Sequence, residues 1–422
     1  MKVVLMIAYH FPPLAGSSGI QRTLRFVQHL PAFGWQPVVL TVTAMAYERT
    51  SSDLDADVPP STVVSRAFAL DTARHLAVGG RYVGAFARPD RWVSWRFDGL
   101  CRAIQLIRQH RPQAVWSTYP IATAHLIGAA VQRRTGLPWV ADFRDPMAQD
   151  GYPADPATWR SFKAIETQAM AQAAACVFTT PGAAAEYVKR YPQARSRIQV
   201  LENGYDEESF GPAASMTAHE PLVAGCVTLL HSGIVYPSER DPTQFMAALR
   251  RLADAGVIQP GRLRVRFRAA VAEQLLLTLA AEHGVSHFVE VCPPVPYREA
   301  LAEMLRAEAL LVMQASNCNA QIPAKAYEYL RAGRPILCLA DPAGDTAQLV
   351  RSAGIDAIAP LDDVAAIAAL LQAFIDPAGR PLRTLGDAAF VRSASRRGRS
   401  EALAKILDAL PSGQAATRGR AA

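Results

Sequence analysis

Residues 322–339 read IPAKAYEYLRAGRPILCL, and the stretch changes character halfway. Pro323 suits the first turn of a helix, where a missing N–H leaves nothing unpaired. Gly333 supplies the helix stop, and Pro335 opens an unbroken apolar run of the kind found in strands buried on both faces. A helix feeding directly into a buried strand is part of a repeating α/β unit. Lys325 and Glu328 lie three residues apart on one helical face. A lysine near a helix N-terminus fits a phosphate, and a carboxylate one turn deeper can accept two hydroxyl hydrogen bonds, as from a ribose diol. A plain Lys–Glu helix pair explains the spacing equally well.

The same alternation runs outward in both directions. Upstream, strands are expected at residues 2–9, 36–43, 114–117, 138–143, 176–180 and 198–201, with helices at 19–33, 92–110, 121–134, 158–175 and from 183. A second series has strands at 227–232, 263–268, 287–292, 309–313, 335–339 and 356–359, with helices at 242–255, 271–284, 297–306, 323–332 and 345–353. Short apolar strands separated by helices predict parallel sheets covered on both faces. A chain of 422 residues exceeds one compact core. The polar, Gly- and Pro-containing stretch between the two series reads as a linker.

Half the residues are apolar, 19% are charged and the formal net charge is +7. That excess favours anionic partners such as phosphates, nucleotides or an acidic membrane surface. Six cysteines without C-x-x-C spacing read as buried thiols of a reducing compartment, not as disulfides or a zinc site. The start, MKVVLMIAYHFPP, breaks at Pro12-Pro13 and reads as a first buried strand rather than an export signal. No apolar run approaches the roughly 18 residues that span a bilayer. A cytoplasmic protein is expected, possible contact with the inner face of the membrane included.

In open α/β sheets, ligands bind beyond the carboxyl ends of the strands, so the loops after strands carry the interest. YHFPPLAGSSGIQRT (9–23) places Gly16, Ser17, Ser18 and Gly19 before a helix with Arg22 and Arg25 in its first turns. Such a loop suits an anion, or simply lets the helix pack. DFRDPMAQD (142–150) clusters Asp142, Arg144 and Asp145 at a strand end. The two carboxylates are candidate bases or metal ligands. An internal ion-pair network is the favoured account for them, while Arg144 is a candidate phosphate clamp. HSGIVYPSERDP (231–242) ends a strand at Gly233 and places Arg240 before a helix, as a pyrophosphate ligand or as a surface charge paired with Glu239 or Asp241. RYVGAFARPDRWVSWRFDG (81–99) mixes arginines with aromatics in a way that suits a membrane interface or nucleic acid. Packing of the aromatics in the core is the reading adopted, and nucleic acid is set aside. In LRVRFR (263–268), the alternating arginines read as an exposed sheet face.

Six segments in this order, YHFPPLAGSSGIQR, GWQPVVLTV, PWVADFRDP, VLENGYDEESF, LLHSGIVYPSERDP and IPAKAYEYLRAGRPIL, resemble glycosyltransferases of family four. These are retaining enzymes of GT-B fold, and the resemblance is to the branch that builds bacterial exopolysaccharide and lipid-linked glycans. It implies two Rossmann-like domains with parallel sheets facing across a cleft. Residues 1–205 would bind the acceptor, 206–224 link, and 225–395 bind the nucleotide sugar. Residues 396–411 would form a helix crossing back to the first domain, and 412–422 a disordered tail.

The resemblance also assigns roles. Glu328 is similar to the second glutamate of the family's E-x7-E motif, which holds the ribose. Arg240 and Lys325 would neutralise the donor pyrophosphate, Gly233 matches the glycine of the same loop, and Arg144 stands about where many members place a histidine that contacts the transferred sugar. Gly16 to Gly19 would lie near donor phosphates or acceptor. The first glutamate of the motif is replaced by Ala320, with Asn319, Gln321, Ile322 and Pro323 around it, and Asn319, Gln321 or Lys325 as substitutes.

The expected reaction is sugar transfer, with retention, from a nucleotide-diphosphate sugar to a hydroxyl of a polyprenyl-diphosphate-linked glycan, without metal or other cofactor. Two other readings remain. One is a catalytically silent protein that binds nucleotide sugars or scaffolds a complex, motivated by Ala320. The other is a GT-B enzyme of different chemistry, such as an epimerase, with His125 and His231 as weak acid/base candidates.

Overall fold

A computed structural model describes residues 1–17, 19–215, 220–375 and 384–411. The tail expected at 412–422 lies outside the described residues. The chain divides into two compact units, Met1–Glu202 with the C-terminal residues from Arg396, and Asn203–Ser395.

The first unit holds seven strands, β1 (Lys2–Ile7), β2 (Trp35–Val42), β3 (Val63–Ala67), β4 (Ala114–Thr118), β5 (Trp139–Arg144), β6 (Ala175–Phe178) and β7 (Ile198–Val200). They pair in parallel in the order β3-β2-β1-β4-β5-β6-β7. Val4 to Ile7 are fully excluded from solvent, as both-face coverage by helices requires. Chain order reverses between β1 and β4, which makes their carboxyl ends the switch point of the sheet. β3 falls in a stretch read as irregular from sequence. It is an edge strand of mostly half-exposed residues, and no apolar run announces it.

The Gly19–His29 helix buries Ile20, Leu24, Phe26 and Val27 against this sheet. The Arg396–Asp408 helix packs in the same unit with Leu403, Ile406 and Leu407 in the core. Each such side chain contributes about 1.5–3 kcal/mol when fully buried.

The second unit holds β8 (Val227–Ser232), β9 (Leu263–Arg268), β10 (Val289–Cys292), β11 (Ala309–Gln314), β12 (Ile336–Ala340) and β13 (Ile358–Ala359). They are parallel in the order β10-β9-β8-β11-β12-β13, with the switch between β8 and β11. The stretch that opens the sequence analysis becomes the Ala324–Ala332 helix and β12. Gly333 closes the helix at φ 63°, a left-handed conformation that glycine adopts without side-chain clash. Pro323 stands just before the helix, at the N-cap, instead of in its first turn.

Two expectations need correction. Residues 206–224 are not simply a linker. The Glu207–Ser215 helix lies there and puts Phe210 and Ala213 into the core of the second unit. Its weak apolar periodicity and internal Pro212 hid it. Nor do the β9 arginines line an exposed face. Arg266 and Arg268 both bond the buried carboxylate of Glu303, from the Tyr297–Arg306 helix, at 2.8 Å, and Arg266 also bonds Glu290. The Tyr297–Arg306 helix packs over Arg266 and Arg268, whose charges Glu303 and Glu290 satisfy.

All six cysteines are free thiols. Cys176, Cys226, Cys292, Cys318 and Cys338 are buried, and Cys101 is exposed. No helix among the described residues is long and apolar enough to cross a membrane.

Candidate active site

In the first unit, the strand-end residues converge on the N-terminus of the Gly19–His29 helix. Gly16 has a φ of 76°, and the Ser17 hydroxyl accepts from the Gly19 N–H at 3.2 Å and lies 3.4 Å from His10 Nδ1. A Cβ at Gly19 would collide with His10 Nδ1 and stand 3.0 Å from Arg144 Nη1, so glycine lets the His10 ring, the Arg144 guanidinium and the chain meet there. Ser18 lies outside the described residues.

Arg144 reaches this point from the end of β5, where the register shifts between Asp142 and Arg144. Its φ of 61° is left-handed, an uncommon and costly conformation for a side chain of this size. Its Nε is buried with no hydrogen-bond partner. Burial and the neighbouring Arg144 push His10 down to about 4, so the imidazole is neutral. Burial, then Arg22, lowers Arg144 itself. An anion would relieve both effects. His10 stands inside the quoted loop but carried no signal of its own, because its meeting with Arg144 depends on the loop path.

The other charges of these two segments are already used. Arg22 Nε and Nη2 grip Asp142 at 2.8 and 2.9 Å, and Thr118 Oγ1 donates to the same carboxylate at 2.9 Å. Asp142 is fully buried. This is the internal ion-pair network favoured from sequence, and it takes Asp142 from the possible cleft carboxylates and Arg22 from the anion loop: the pair is an internal brace between β5 and the first helix. Arg25 is also buried and pairs with Asp57 at 3.1 Å. Asp145 remains exposed beside Arg144. His125 is buried, with Nδ1 2.8 Å from Ser117 Oγ, and burial lowers it to about 4. It is a packing residue.

In the second unit, Gly233 follows β8 with a φ of 113°. Lys325 lies against it: a Cβ there would stand 3.2 Å from Lys325 Nζ. Lys325 Nζ lies 2.8 Å from His231 Nε2, and His231 Nδ1 lies 2.9 Å from the Leu311 carbonyl oxygen. That carbonyl needs a proton on Nδ1, which leaves Nε2 free to accept from the ammonium. Burial and Lys325 hold His231 well below its ordinary value, so it stays neutral. Burial, then Arg240, lowers Lys325 to about 7.

Arg240 is anchored through Nη1 to the Ile234 carbonyl at 3.0 Å and stacks over Tyr236. Among the described residues it forms no ion pair with Glu239 or Asp241, and its Nε is buried without a partner. The loop carrying it is fastened to the loop after β11 by Ala315 N–H to Glu239 O at 2.7 Å and Asn317 Nδ2 to Ser238 O at 2.8 Å. No side chain caps the Ala324–Ala332 helix, which begins beside Lys325. Two cations and an open helix end therefore face one point at the switch of the sheet.

Glu328 is half-buried and accepts from Tyr297 Oη at 2.8 Å. Tyr297 begins the helix after β10 and was not singled out from sequence. Tyr329, on the next position, accepts from Ser232 N–H at 2.8 Å and ties the helix to β8. Around Ala320, Asn319 Nδ2 bonds Asp341 at 2.6 Å and its carbonyl accepts from Asp345 N–H. Asn319 thus locks the loop, which takes it from the list of substitutes for a sugar-binding acid. Gln321 keeps an exposed side chain, Ile322 packs against the core, and Pro323 is buried. Among the described residues, no group of three His, Cys, Asp or Glu is placed to hold a metal ion.

Residues 18–204 match the family described as Glycosyl transferase 4-like domain. No curated protein matches the chain. Among solved structures, HepE from Anabaena in complex with UDP is 13% identical, with 97% of this chain and 100% of that one covered and a TM-score of 0.62. Sucrose-phosphate synthase from Thermosynechococcus elongatus is 14% identical, with 97% and 98% covered and a TM-score of 0.60. Trehalose 6-phosphate synthase from Burkholderia multivorans is 14% identical, with 97% and 96% covered and a TM-score of 0.64. The fold is GT-B. Residues 18–204 thus carry the similarity to a glycosyl transferase 4-like domain, and the chain as a whole shares the fold of these structures.

Proposed function

We propose that the protein transfers a sugar, with retention of configuration, from a nucleotide-diphosphate sugar to a hydroxyl of a lipid-linked saccharide in cell-surface polysaccharide synthesis. The observation that carries this reading is the pair Lys325 and Arg240. Among the described residues neither forms an ion pair with a carboxylate at the open N-terminus of the Ala324–Ala332 helix, and the buried Nε of Arg240 has no hydrogen-bond partner. A diphosphate supplies what that point lacks. Glu328 then receives the ribose hydroxyls, exchanging or sharing its bond from Tyr297. The first unit, with Arg144 and His10 at Gly19, receives an anionic group of the acceptor.

In this reading the acceptor oxygen bonds to the anomeric carbon as the bond from that carbon to the leaving phosphate oxygen breaks. The acceptor's proton passes to the departing diphosphate, so no protein nucleophile is used. The protein positions both substrates and stabilises charge on the diphosphate. Arg240, Lys325 and the helix end supply that stabilisation, and the scheme needs no metal. UDP is the nucleotide in the HepE complex, and it is the first base to test here.

Ala320 favours one other reading, a protein that binds nucleotide sugars without transferring them. An epimerase lacks that kind of support: His125 and His231 are both buried and committed to neighbours. The test is thermal stabilisation by UDP-, GDP- and dTDP-sugars, followed by turnover with membrane lipid acceptors. A ligand at one hundred times its Kd stabilises by about 2.7 kcal/mol. Stabilisation by none of them sinks the donor site, and stabilisation without turnover supports the silent binder.

A further inference from the structure

The stretch at 81–99 does not pack as its aromatics suggest. Trp95 is buried, but Val83 is 60%, Phe86 58% and Phe97 65% exposed, and Val78 just upstream is 85% exposed. Seven of the exposed large apolar side chains of the described residues fall between Phe68 and Phe97, all in the first unit. Hydrogen bonds tie the segment to itself: Phe68 N–H donates to Asp98 at 2.6 Å, Thr72 Oγ1 donates to the Phe86 carbonyl at 2.7 Å, and Val78 pairs with Arg81. This clustering exceeds the scattered apolar exposure of an ordinary surface.

Charge lies in the same place. Arg81, Arg96, Arg133 and Arg134 are exposed, and none forms an ion pair among the described residues. Arg96 stacks on Phe97 at 4.7 Å. Arg96, Phe97, Arg133 and Arg134 border a groove of about 630 Å³, with Leu126 and Ala130 in its wall. The acids nearby are already engaged: Asp98 pairs with Arg102, and Glu48 with Arg91.

We propose that this surface docks the protein on an anionic lipid bilayer, with Val78, Val83, Phe86 and Phe97 entering the acyl boundary and the four arginines bonding headgroup phosphates. Apolar tips separated by Gly79, Gly80, Gly84 and arginines suit a fluid interface, which adapts to each tip; a protein partner would need them packed into one face. Guanidinium groups beside apolar side chains place phosphate contact and insertion at adjacent depths. The inference deepens the lipid-linked acceptor reading and rests on it for its purpose, though not for its measurement.

The test is co-flotation of the full chain with phosphatidylcholine vesicles, with and without phosphatidylglycerol, in the absence of any nucleotide sugar. Binding is expected only with phosphatidylglycerol and falls as salt rises. Each arginine contributes about a fivefold gain in partition onto an anionic surface. R96E/R133E should therefore lose binding by well over tenfold, and V83S/F86S should lose the fraction that persists at high salt. Both doubles are surface changes and keep donor-induced thermal stabilisation. Equal binding to neutral vesicles, no binding to either, or indifference to both doubles overturns the proposal. Donor stabilisation without vesicle binding overturns docking alone, whereas vesicle binding without donor stabilisation overturns only the transferase reading.

Discussion

Lys325 Nζ lies 2.8 Å from His231 Nε2, in a site where Arg240 further disfavours a second positive charge. The imidazole is a neutral acceptor that aims the ammonium at Gly233 without neutralising it. Lys325 sits at about 7, so the free protein has lost much of that charge by pH 8. A bound diphosphate draws the proton back. Donor affinity should therefore decline as pH rises above 7, and binding at pH 8 should take up about one proton. Calorimetry in buffers of different ionisation enthalpy reads that proton directly. Uptake unchanged in K325M would assign it elsewhere.

His231 acts through Lys325, so its replacement separates positioning from folding. H231A should weaken donor binding and flatten the pH dependence just described. H231N retains an acceptor on a shorter arm and should recover part of both. A purely structural histidine would lower stability in both variants and leave the shape of the pH profile intact.

Arg240 has a carbonyl anchor and a ring beneath it but, among the described residues, no acid to leave behind. R240A gives up one carbonyl hydrogen bond and a ring contact but no ion pair, and should change unfolding free energy by only about 1 kcal/mol. Turnover should fall about 10²–10³-fold, the range seen when one donor to a developing oxyanion is removed. Denaturant titration alongside initial rates checks both halves, and the reverse pattern would make Arg240 a structural residue.

These arguments combine what the sequence carries locally with what it does not. Alternating apolar strands and helices, and the helix stop at Gly333, follow from local composition, so both parallel sheets were legible. β3 was not, because an edge strand carries no buried run, nor was the Glu207–Ser215 helix, whose amphipathic signal is weak. At the site, Lys325 and Glu328 share a helix and could be read from spacing. Which arginine of the first unit stays available could not. Arg22 stands 120 residues from Asp142, and only the sheet order brings them together and leaves Arg144 over Gly19. His10 and Tyr297 were missed for the same reason, since each meets its partner through tertiary structure.

Glu328 and Tyr297 give a graded prediction. E328A should weaken nucleotide binding by about 1.5–3 kcal/mol, the value of hydrogen bonds to a charged acceptor. Y297F removes only the hydroxyl that orients that carboxylate and should cost less. Isothermal titration with the nucleoside diphosphate measures both, and unchanged affinity in a folded E328A would end the ribose assignment.

The Arg22–Asp142 pair predicts the opposite behaviour, stability without a direct role in binding. Asp142 is fully buried and accepts from Arg22 Nε, Arg22 Nη2 and Thr118, while Arg22 also donates to the Leu201 and Glu202 carbonyls. D142A leaves a buried guanidinium without its counterion, and removing one partner of such a pair typically costs about 3–5 kcal/mol. R22M/D142L removes both charges and should recover much of that loss. Chemical denaturation of the three proteins measures the coupling. If D142A unfolds at the wild-type midpoint yet loses activity, the carboxylate belongs to the chemistry and the brace assignment fails.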